Sequence, residues 1–374
     1  MIVIVFSSIF AVFAAIGVFV IVYYAIKTRR QGFKIFWQKL EYFSSVISID
    51  EEKVSFRPRG RDISNGLLDN IGLVGRTASL ALSGPYTTDK GIITRQIISR
   101  NGFLEEGAWV RTSLFVHEEN PKANLDLDYH DVSFESELGT LSGWHIPEDT
   151  NYWIIGIHGH RSYRTETMRF VPTFRKCGLN VLLSDYRNDE NAPLDKGGYH
   201  MFGLTEWPDL ESAVNFCQAN GAEKIFLMGH SMGGAILIKY LLESPTASLI
   251  NGAILESPAL DLNKIIAMKA AEIPLLPRGA EYPVKKLVSR MVGLKWEDLN
   301  YLKRTEELST PILLIHSKAD ETVPVSLSDQ FATQRPDIVT YLRLENALHA
   351  AAWNTDKEVV ESSIGTFISQ NINN

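Results

Sequence analysis

Lys224-Ile-Phe-Leu-Met-Gly-His-Ser-Met-Gly-Gly-Ala-Ile-Leu-Ile-Lys-Tyr-Leu-Leu242 changes its pattern in the middle. Ile225 to Met228 is a short unbroken apolar run, as expected of a strand covered on both faces, and Gly233 onward reads as a helix. Ser231 sits between them among Gly229, Gly233 and Gly234. A strand that turns directly into a helix strains its turn residue and brings the two backbones together, so small residues are needed on both sides. The three glycines meet that need and make Ser231 a candidate nucleophile. A glycine-rich turn alone would carry little weight. Here it is followed by an Asp after a later strand and a His after the last one.

After His130 strands and helices alternate to the end, the pattern of a mostly parallel sheet with crossover helices. The expected strands are 131–136, 141–146, 152–157, 181–185, 225–228, 253–256, 312–316 and 340–344, eight in all. The expected helices are 166–176, 206–218, 233–243, 326–333 and 357–369. The short link 137–140 makes the first two strands an antiparallel hairpin. The interval 261–309 breaks the alternation with apolar helical stretches at 265–271 and 284–294 around Pro274, Pro277 and Pro283. It reads either as a lid whose Ile265, Ile266, Met268, Leu275 and Leu276 line an acyl pocket, or as helices packed on the sheet edge.

A serine hydroxyl is a weak nucleophile at neutral pH and needs a base, a group to orient that base, and donors for the developing oxyanion. Asp320 lies in the loop after the strand ending at His316, where functional groups collect in open α/β sheets. Glu321 is its nearest rival. His349 follows the last strand. Ser231, Asp320 and His349 thus occur in the chain order nucleophile, acid, base. The oxyanion donors are assigned to the backbone N–H groups of His160, in the loop after strand 152–157, and of Met232. His230 and His316 read as structural, and His117, His130, His145 and His200 lie in segments without a partner pattern. His158-Gly159-His160 is the one close histidine pair, but no carboxylate motif accompanies it, so no metal is expected and no cofactor is implied.

The 374 residues suit one large α/β domain plus an N-terminal extension. A net charge of −7 with dispersed Lys and Arg argues against a nucleic-acid partner. Cys177 and Cys217, the only two cysteines, read as buried thiols rather than a disulfide or zinc framework. Met1 to Ile26 has no charged side chain and is long enough, as a helix, to cross a bilayer. A cleaved signal peptide would have a basic start, a shorter apolar stretch and a small-residue cleavage site, and this segment lacks the basic start. The expectation is a single-pass transmembrane anchor over 1–26. Lys27, Arg29, Arg30, Lys34 and Lys39 follow it, placing the rest of the chain on the cytoplasmic side. Residues 27–129 read as a membrane-proximal extension without recognisable chemistry, with Arg57 to Arg61 as a solvated basic loop.

Over roughly 130–372 the chain resembles the α/β-hydrolase superfamily of serine hydrolases. Ser184-Asp-Tyr-Arg-Asn-Asp-Glu-Asn-Ala-Pro193 and Gly203-Leu-Thr-Glu-Trp-Pro-Asp-Leu210 look like segments of bacterial, often actinobacterial, hydrolases grouped with prolyl-oligopeptidase-like or serine-aminopeptidase-like sequences. The resemblance implies an α/β-hydrolase fold for 130–374 and a Ser-His-Asp triad, and leaves the substrate open. The leading expectation is a membrane-anchored serine hydrolase acting on an ester or thioester through an acyl-enzyme. A serine peptidase needing an acidic subsite, for which Glu272 and Glu281 are candidates, is the alternative among enzymes. A non-catalytic binding or scaffold protein is the alternative outside them.

Overall fold

The computed structural model describes residues 2–36, 40–273 and 279–372, with side chains described from residue 14 onward. Pro274, Leu275, Leu276, Pro277 and Lys39 therefore lie outside the described residues. Helix α1 (Ile2–Thr28) continues into a short π-helical turn, Arg29–Phe33. Among the described residues no helix is long and apolar enough to cross a membrane. The spanning anchor expected over Met1 to Ile26 thus has no support from the structure, and Met1 and the side chains of 2–13 are outside the described part. The end of α1 is instead built into the protein. Ala25 and Phe33 are fully buried, and the Phe33 ring packs edge-on against Phe202 and Trp296.

The polar stretch that follows folds into a closed barrel of six strands. These are β1 (Ser44–Ile49), β2 (Lys53–Arg57), β3 (Ile71–Val74), β4 (Ser79–Asp89), β5 (Ile92–Asn101) and β6 (Trp109–Ser113), in the order β1-β2-β5-β4-β3-β6. Such a barrel is small enough for side chains to fill it. Val54, Phe56, Ile71, Leu73, Leu80 and Val110 do so. A short helix α2 (Asp62–Asn65) places Asp62 against one end, where it accepts hydrogen bonds from Ser44 Oγ and Thr112 Oγ1, both at 2.6 Å. Sequence reading found no fold here because β3, the first half of β4 and most of β6 are buried on both faces while β5 alternates, so no single period marks the barrel.

Helix α3 (Pro121–Leu125), capped by Asn120, leads into the second unit. All eight expected strands are present: β7 (His130–Ser136), β8 (Gly139–Ile146), β9 (Tyr152–Ile157), β10 (Asn180–Ser184), β11 (Lys224–His230), β12 (Ile250–Glu256), β13 (Ile312–Ser317) and β14 (Val339–Leu344). They form one sheet in the order β14-β13-β12-β11-β9-β10-β8-β7, parallel except where β8 pairs with β10 and β7. The central strands are buried throughout, while the edge strand β7 is largely exposed and the other edge, β14, is mostly half-buried. Alternate residues feed two cores. Ile225 and Leu227 face the side covered by α5 (Trp207–Ala219) and α6 (Met232–Glu243), and Phe226 and Met228 face α4 (Val171–Lys176) and α11 (Lys357–Asn371).

The helix expected over 166–176 is in fact a 3₁₀ segment, Arg164–Phe170, followed by α4. The inserted interval forms α7 (Leu262–Ala271), α8 (Glu281–Val292) and three 3₁₀ turns between Trp296 and Glu307. After it come α9 (Ser326–Gln334), between β13 and β14, and the short α10 (Ala352–Thr355) before α11.

Candidate active site

Ser231 joins β11 to α6 at φ 51° and ψ −110°, a conformation that side chains other than glycine rarely adopt. Its N–H donates to Glu256 O at 2.9 Å and its carbonyl accepts from Ala259 N–H at 3.1 Å, so β12 holds the turn. The flanking glycines are needed for space. A Cβ on Gly229 would lie 2.7 Å from the Gly233 carbonyl carbon, one on Gly234 2.8 Å from Pro258 Cβ, and one on Gly233 2.6 Å from His158 O with Ile157 O closer still.

The two residues singled out with Ser231, Asp320 and His349, converge on it. His349 Nε2 lies 3.0 Å from Ser231 Oγ, and His349 Nδ1 lies 2.6 Å from Asp320 Oδ2. Because Asp320 accepts, Nδ1 carries the proton and Nε2 is left to accept from the serine hydroxyl. Asp320 Oδ1 accepts the N–H groups of Thr322 at 2.8 Å and Val323 at 2.9 Å. His316, read from sequence as structural, is a second imidazole on the same carboxylate. Its Nε2 lies 3.1 Å from both Asp320 Oδ2 and Val323 O, which makes Nε2 the donor, and its Nδ1 accepts from Ser328 Oγ at 2.7 Å. Burial pushes the Asp320 carboxyl up. The hydrogen bonds from His316 and His349, the His349 charge and Val323 N–H outweigh it and hold the group well below the usual carboxylate range. Glu321, the rival acid, has only its backbone carbonyl engaged among the described residues, by Lys269 Nζ at 2.5 Å.

The barrel supports the loop that carries His349. Ala351 is buried in the barrel core with Leu348 packed beside it. Asn354 Nδ2 donates to Asn70 O at 2.8 Å and Leu114 O at 2.9 Å, and Asn70 N–H donates back to Asn354 O at 2.9 Å. Behind the serine, Glu256 accepts from His230 Nδ1 at 2.7 Å, Arg169 Nη2 at 3.0 Å and Ala352 N–H at 2.9 Å. Burial raises that carboxyl, but Arg169 and His230 bring it down to about 2. These contacts join residues far apart in the chain, and no local pattern announced them.

His160 follows β9, and no protein acceptor takes its N–H among the described residues. Met232 opens α6, where the N–H has no acceptor within the helix. Gly159 N–H is held by Glu166 Oε2 at 2.7 Å, which fixes the loop between β9 and His160. Burial, then His200 and Arg161, keep the His160 imidazole far below its ordinary range and so neutral. Next along, Arg161 Nη2 donates to Arg30 O at 2.7 Å and Lys34 O at 2.8 Å, tying the loop to the end of the N-terminal helix. His158 does not share a ligand site with His160. Its Nε2 meets Asp189 Oδ2 at 2.9 Å, and Asp185 beside them is held by Arg164 and Ser142. These three groups lie within metal-ligand range of one another, but protein donors already occupy them. Burial lowers the His158 pKa, yet Asp189 overcomes it and lifts it to about 9.

Ser231 and His349 open into a cavity of about 920 Å³. Its walls come from the insert, through Leu262, Ile265, Ile266 and Val284, and from the end of α1 and its π-turn, through Tyr24, Thr28 and Gly32. Of the apolar insert residues noted in the sequence, Ile265 and Ile266 reach the cavity and Met268 does not. Leu275 and Leu276 lie outside the described residues. Glu272 and Glu281 both line it, as do Lys27, Arg161 and Lys269. An α1 contribution was not foreseen, because an apolar N-terminal run looks the same in sequence whether it meets lipid or protein.

Residues 149–301 match the family model described as "Serine aminopeptidase, S33". The chain is 24% identical over 235 residues to the uncharacterized protein YqkD of Bacillus subtilis, covering 61% of this chain and 75% of that protein. It is 28% identical over 109 residues to the phospholipase YtpA of the same organism, covering 29% of this chain and 41% of that one. Among solved structures it resembles the Pyrococcus furiosus esterase Pf2001, with a TM-score of 0.55, 26% identity, and coverage of 68% of this chain and 96% of the esterase.

Proposed function

We propose that this chain, which belongs to the α/β-hydrolase superfamily, is a serine hydrolase that cleaves a carboxylic ester or thioester through an acyl-enzyme. The observation that carries the reading is the continuous run Ser231 Oγ to His349 Nε2, His349 Nδ1 to Asp320 Oδ2, at the mouth of a cavity with a mixed apolar wall. Ser231 Oγ attacks the acyl carbon while His349 Nε2 takes the hydroxyl proton. Asp320 holds the imidazole tautomer and offsets the charge that forms on it. The N–H groups of His160 and Met232 receive the oxyanion, a contribution of about 10² to 10³ in rate for each such donor. His349 then returns the proton to the leaving alcohol or thiol, and water, activated by the same imidazole, releases the acid and regenerates the hydroxyl.

Pf2001 is an esterase and YtpA a phospholipase, and both likenesses favour an acyl ester over an amide. A second reading, an aminopeptidase, draws on Glu272 and Glu281 in the cavity wall, where a substrate ammonium group would be received. Glu272 is already paired with Lys269 at 3.0 Å, and Lys27 and Arg161 add positive charge, so the wall is not an acidic subsite. The test is labelling of the full chain with a fluorophosphonate probe, beside Ser231→Ala and His349→Ala, then turnover of p-nitrophenyl esters from acetate to palmitate against aminoacyl p-nitroanilides. Labelling lost in both variants with ester turnover supports the proposal. Preference for the anilides moves the assignment to the peptidase, and a folded wild type that neither labels nor turns over leaves a binding protein.

A further inference from the structure

The chain passes from the barrel to the sheet through a strained turn. Val116 stands at φ 65°, and His117 N–H donates to Phe115 O at 2.7 Å, closing a three-residue turn of the rare sense. A β-branched residue at positive φ is a true outlier, and such strain persists where surrounding structure enforces it, often at ligand clamps and switches. Phe115, on one side of the turn, lines the Ser231 cavity. Val116 and His117, on the other, line a separate cavity of about 590 Å³ between barrel strands β4 and β5 and helices α3, α4, α10 and α11.

That second cavity is amphipathic. Leu82, Ile98 and Leu125 supply apolar surface, and Arg100, Lys176 and Lys357 supply positive charge. Of its two carboxylates, Asp126 is neutralised by Lys122 at 2.8 Å, which leaves Glu361 against Arg100, Lys176 and Lys357, the fourth cation, Arg169, being paired with Glu256. His117 is 8% exposed, and its buried Nδ1 has no hydrogen-bond partner. A buried polar nitrogen left without a partner is costly, and a bound acceptor or donor would offset that cost. Burial first, then Lys357 and Arg169, bring the His117 pKa down to about 4. Arg169 also borders this cavity and touches the machinery beyond it. Its guanidinium donates to Ala350 O at 2.8 Å, one residue past His349, and to Leu114 O at 3.2 Å, one residue before Phe115.

We propose that this cavity is a second binding site, for a medium-chain carboxylate, whose occupancy is read at Ser231 and His349 through the 115–117 turn and Arg169. The carboxylate lies against His117, Lys176 and Lys357, and the chain runs along Leu82, Ile98 and Leu125. A carboxylate is the acid that ester hydrolysis releases, so a regulatory meaning rests on the hydrolase reading, whereas binding does not.

The test is calorimetric titration of the full chain with octanoate, octanol and inorganic phosphate, for the wild type and for Lys176→Glu/Lys357→Glu. Both lysines are outside the catalytic machinery and at least partly exposed, and thermal melting checks that the variant folds. The expected result is saturable octanoate binding at roughly millimolar concentration or below, weakened about tenfold or more in the variant, with octanol and phosphate binding far less. Esterase turnover should change noncompetitively on adding octanoate to the wild type and not to the variant. Octanoate binding that the variant leaves unchanged, or no saturable binding, overturns the site. Phosphate binding as strong as octanoate overturns the ligand class. Absence of esterase activity sinks the hydrolase reading alone, because the calorimetric arm still decides the site.

Discussion

Gly233→Ala tests whether the turn at Ser231 sets the reaction geometry. The added methyl would sit 2.6 Å from His158 O and closer still to Ile157 O, whereas carbon and oxygen approach to about 3.3 Å. Helix α6 must therefore move away from β9 by about 0.7 Å or more. Both flanking elements are buried: Ile157 is 1% exposed and Met232 0%. The strain has no soft side chain to absorb it, and overpacking of this kind costs about 1–3 kcal/mol. Ser231 is the residue directly before α6, so its Oγ moves with the helix out of the 3.0 Å contact with His349. A misplacement near 1 Å lowers a rate by about 10². The expected outcome is a folded protein with a modestly lower Tm, kcat on a p-nitrophenyl ester reduced about 10²-fold, and slowed fluorophosphonate labelling. A variant whose kcat stays within a factor of about three of wild type would refute the link between turn geometry and nucleophile placement.

Asp320→Asn should lower kcat by about 10³ to 10⁴ with little change in KM, because the amide cannot hold the His349 tautomer or offset its charge; stopped-assay kinetics on the purified variant check it. His316→Ala removes one of the two imidazole donors on Asp320 Oδ2, which makes the carboxylate more basic and its pull on the His349 proton stronger. The acid limb of kcat/KM should then move to higher pH with kcat down about tenfold, while a purely structural histidine would change Tm and leave the limb in place. Asn354→Ala leaves Asn70 O and Leu114 O short of a buried donor, so Tm should fall by an amount equivalent to about 1–3 kcal/mol, with kcat falling as the His349 loop loosens. His158, raised to about 9 by Asp189, contributes stability that is fully present below the unfolded pKa near 6.5 and is lost as pH rises through about 9. Wild-type Tm should therefore fall across that window more steeply than that of His158→Gln; parallel melting curves would exclude the His158–Asp189 pair as the cause.

The sheet was legible because its strands carry their own explanation. Ile312 to His316 and Ile225 to Met228 are runs apolar on both faces, which parallel central strands require, and each is bounded by polar or glycine residues that end it. The barrel was not legible, since some of its strands bury both faces while others bury one, and the closing partners β1 and β6 pair residues more than sixty positions apart, Ser44 with Val110 and Ser45 with Trp109. A run such as Ile92 to Asn101, with Arg95 turned inward, contradicts the pattern that a reader of sequence looks for. The end of α1 shows the converse. Its apolar composition satisfies the requirements of a bilayer span, yet Ala25 and Phe33 are buried against the insert and Gly32 lines the Ser231 cavity. Composition counts apolar residues and is blind to what covers them.

The site divides along the same line. Ser231, Asp320 and His349 could be named from sequence because each follows a recognisable strand, and a strand end fixes where the next residue points. The partners that set their geometry follow no such rule. His316 is four residues before Asp320 and looked like the last residue of a strand, but its role arises from the loop 317–323 folding back so that both Asp320 and Val323 O meet one nitrogen. Asn354, Arg169 and Arg161 act across gaps of more than one hundred residues, tying the His349 loop to the barrel, Arg169 to the same loop, and the loop of His160 to the end of the N-terminal helix. Each uses a polar side chain to satisfy backbone carbonyls in another element. Such a bond needs only a donor of the right reach and tolerates any residue at the acceptor, so it leaves no paired signature in one sequence. The groups of the candidate triad can therefore be read locally, while the precision with which they meet is a property of the barrel, the insert and the N-terminal helix assembled around them.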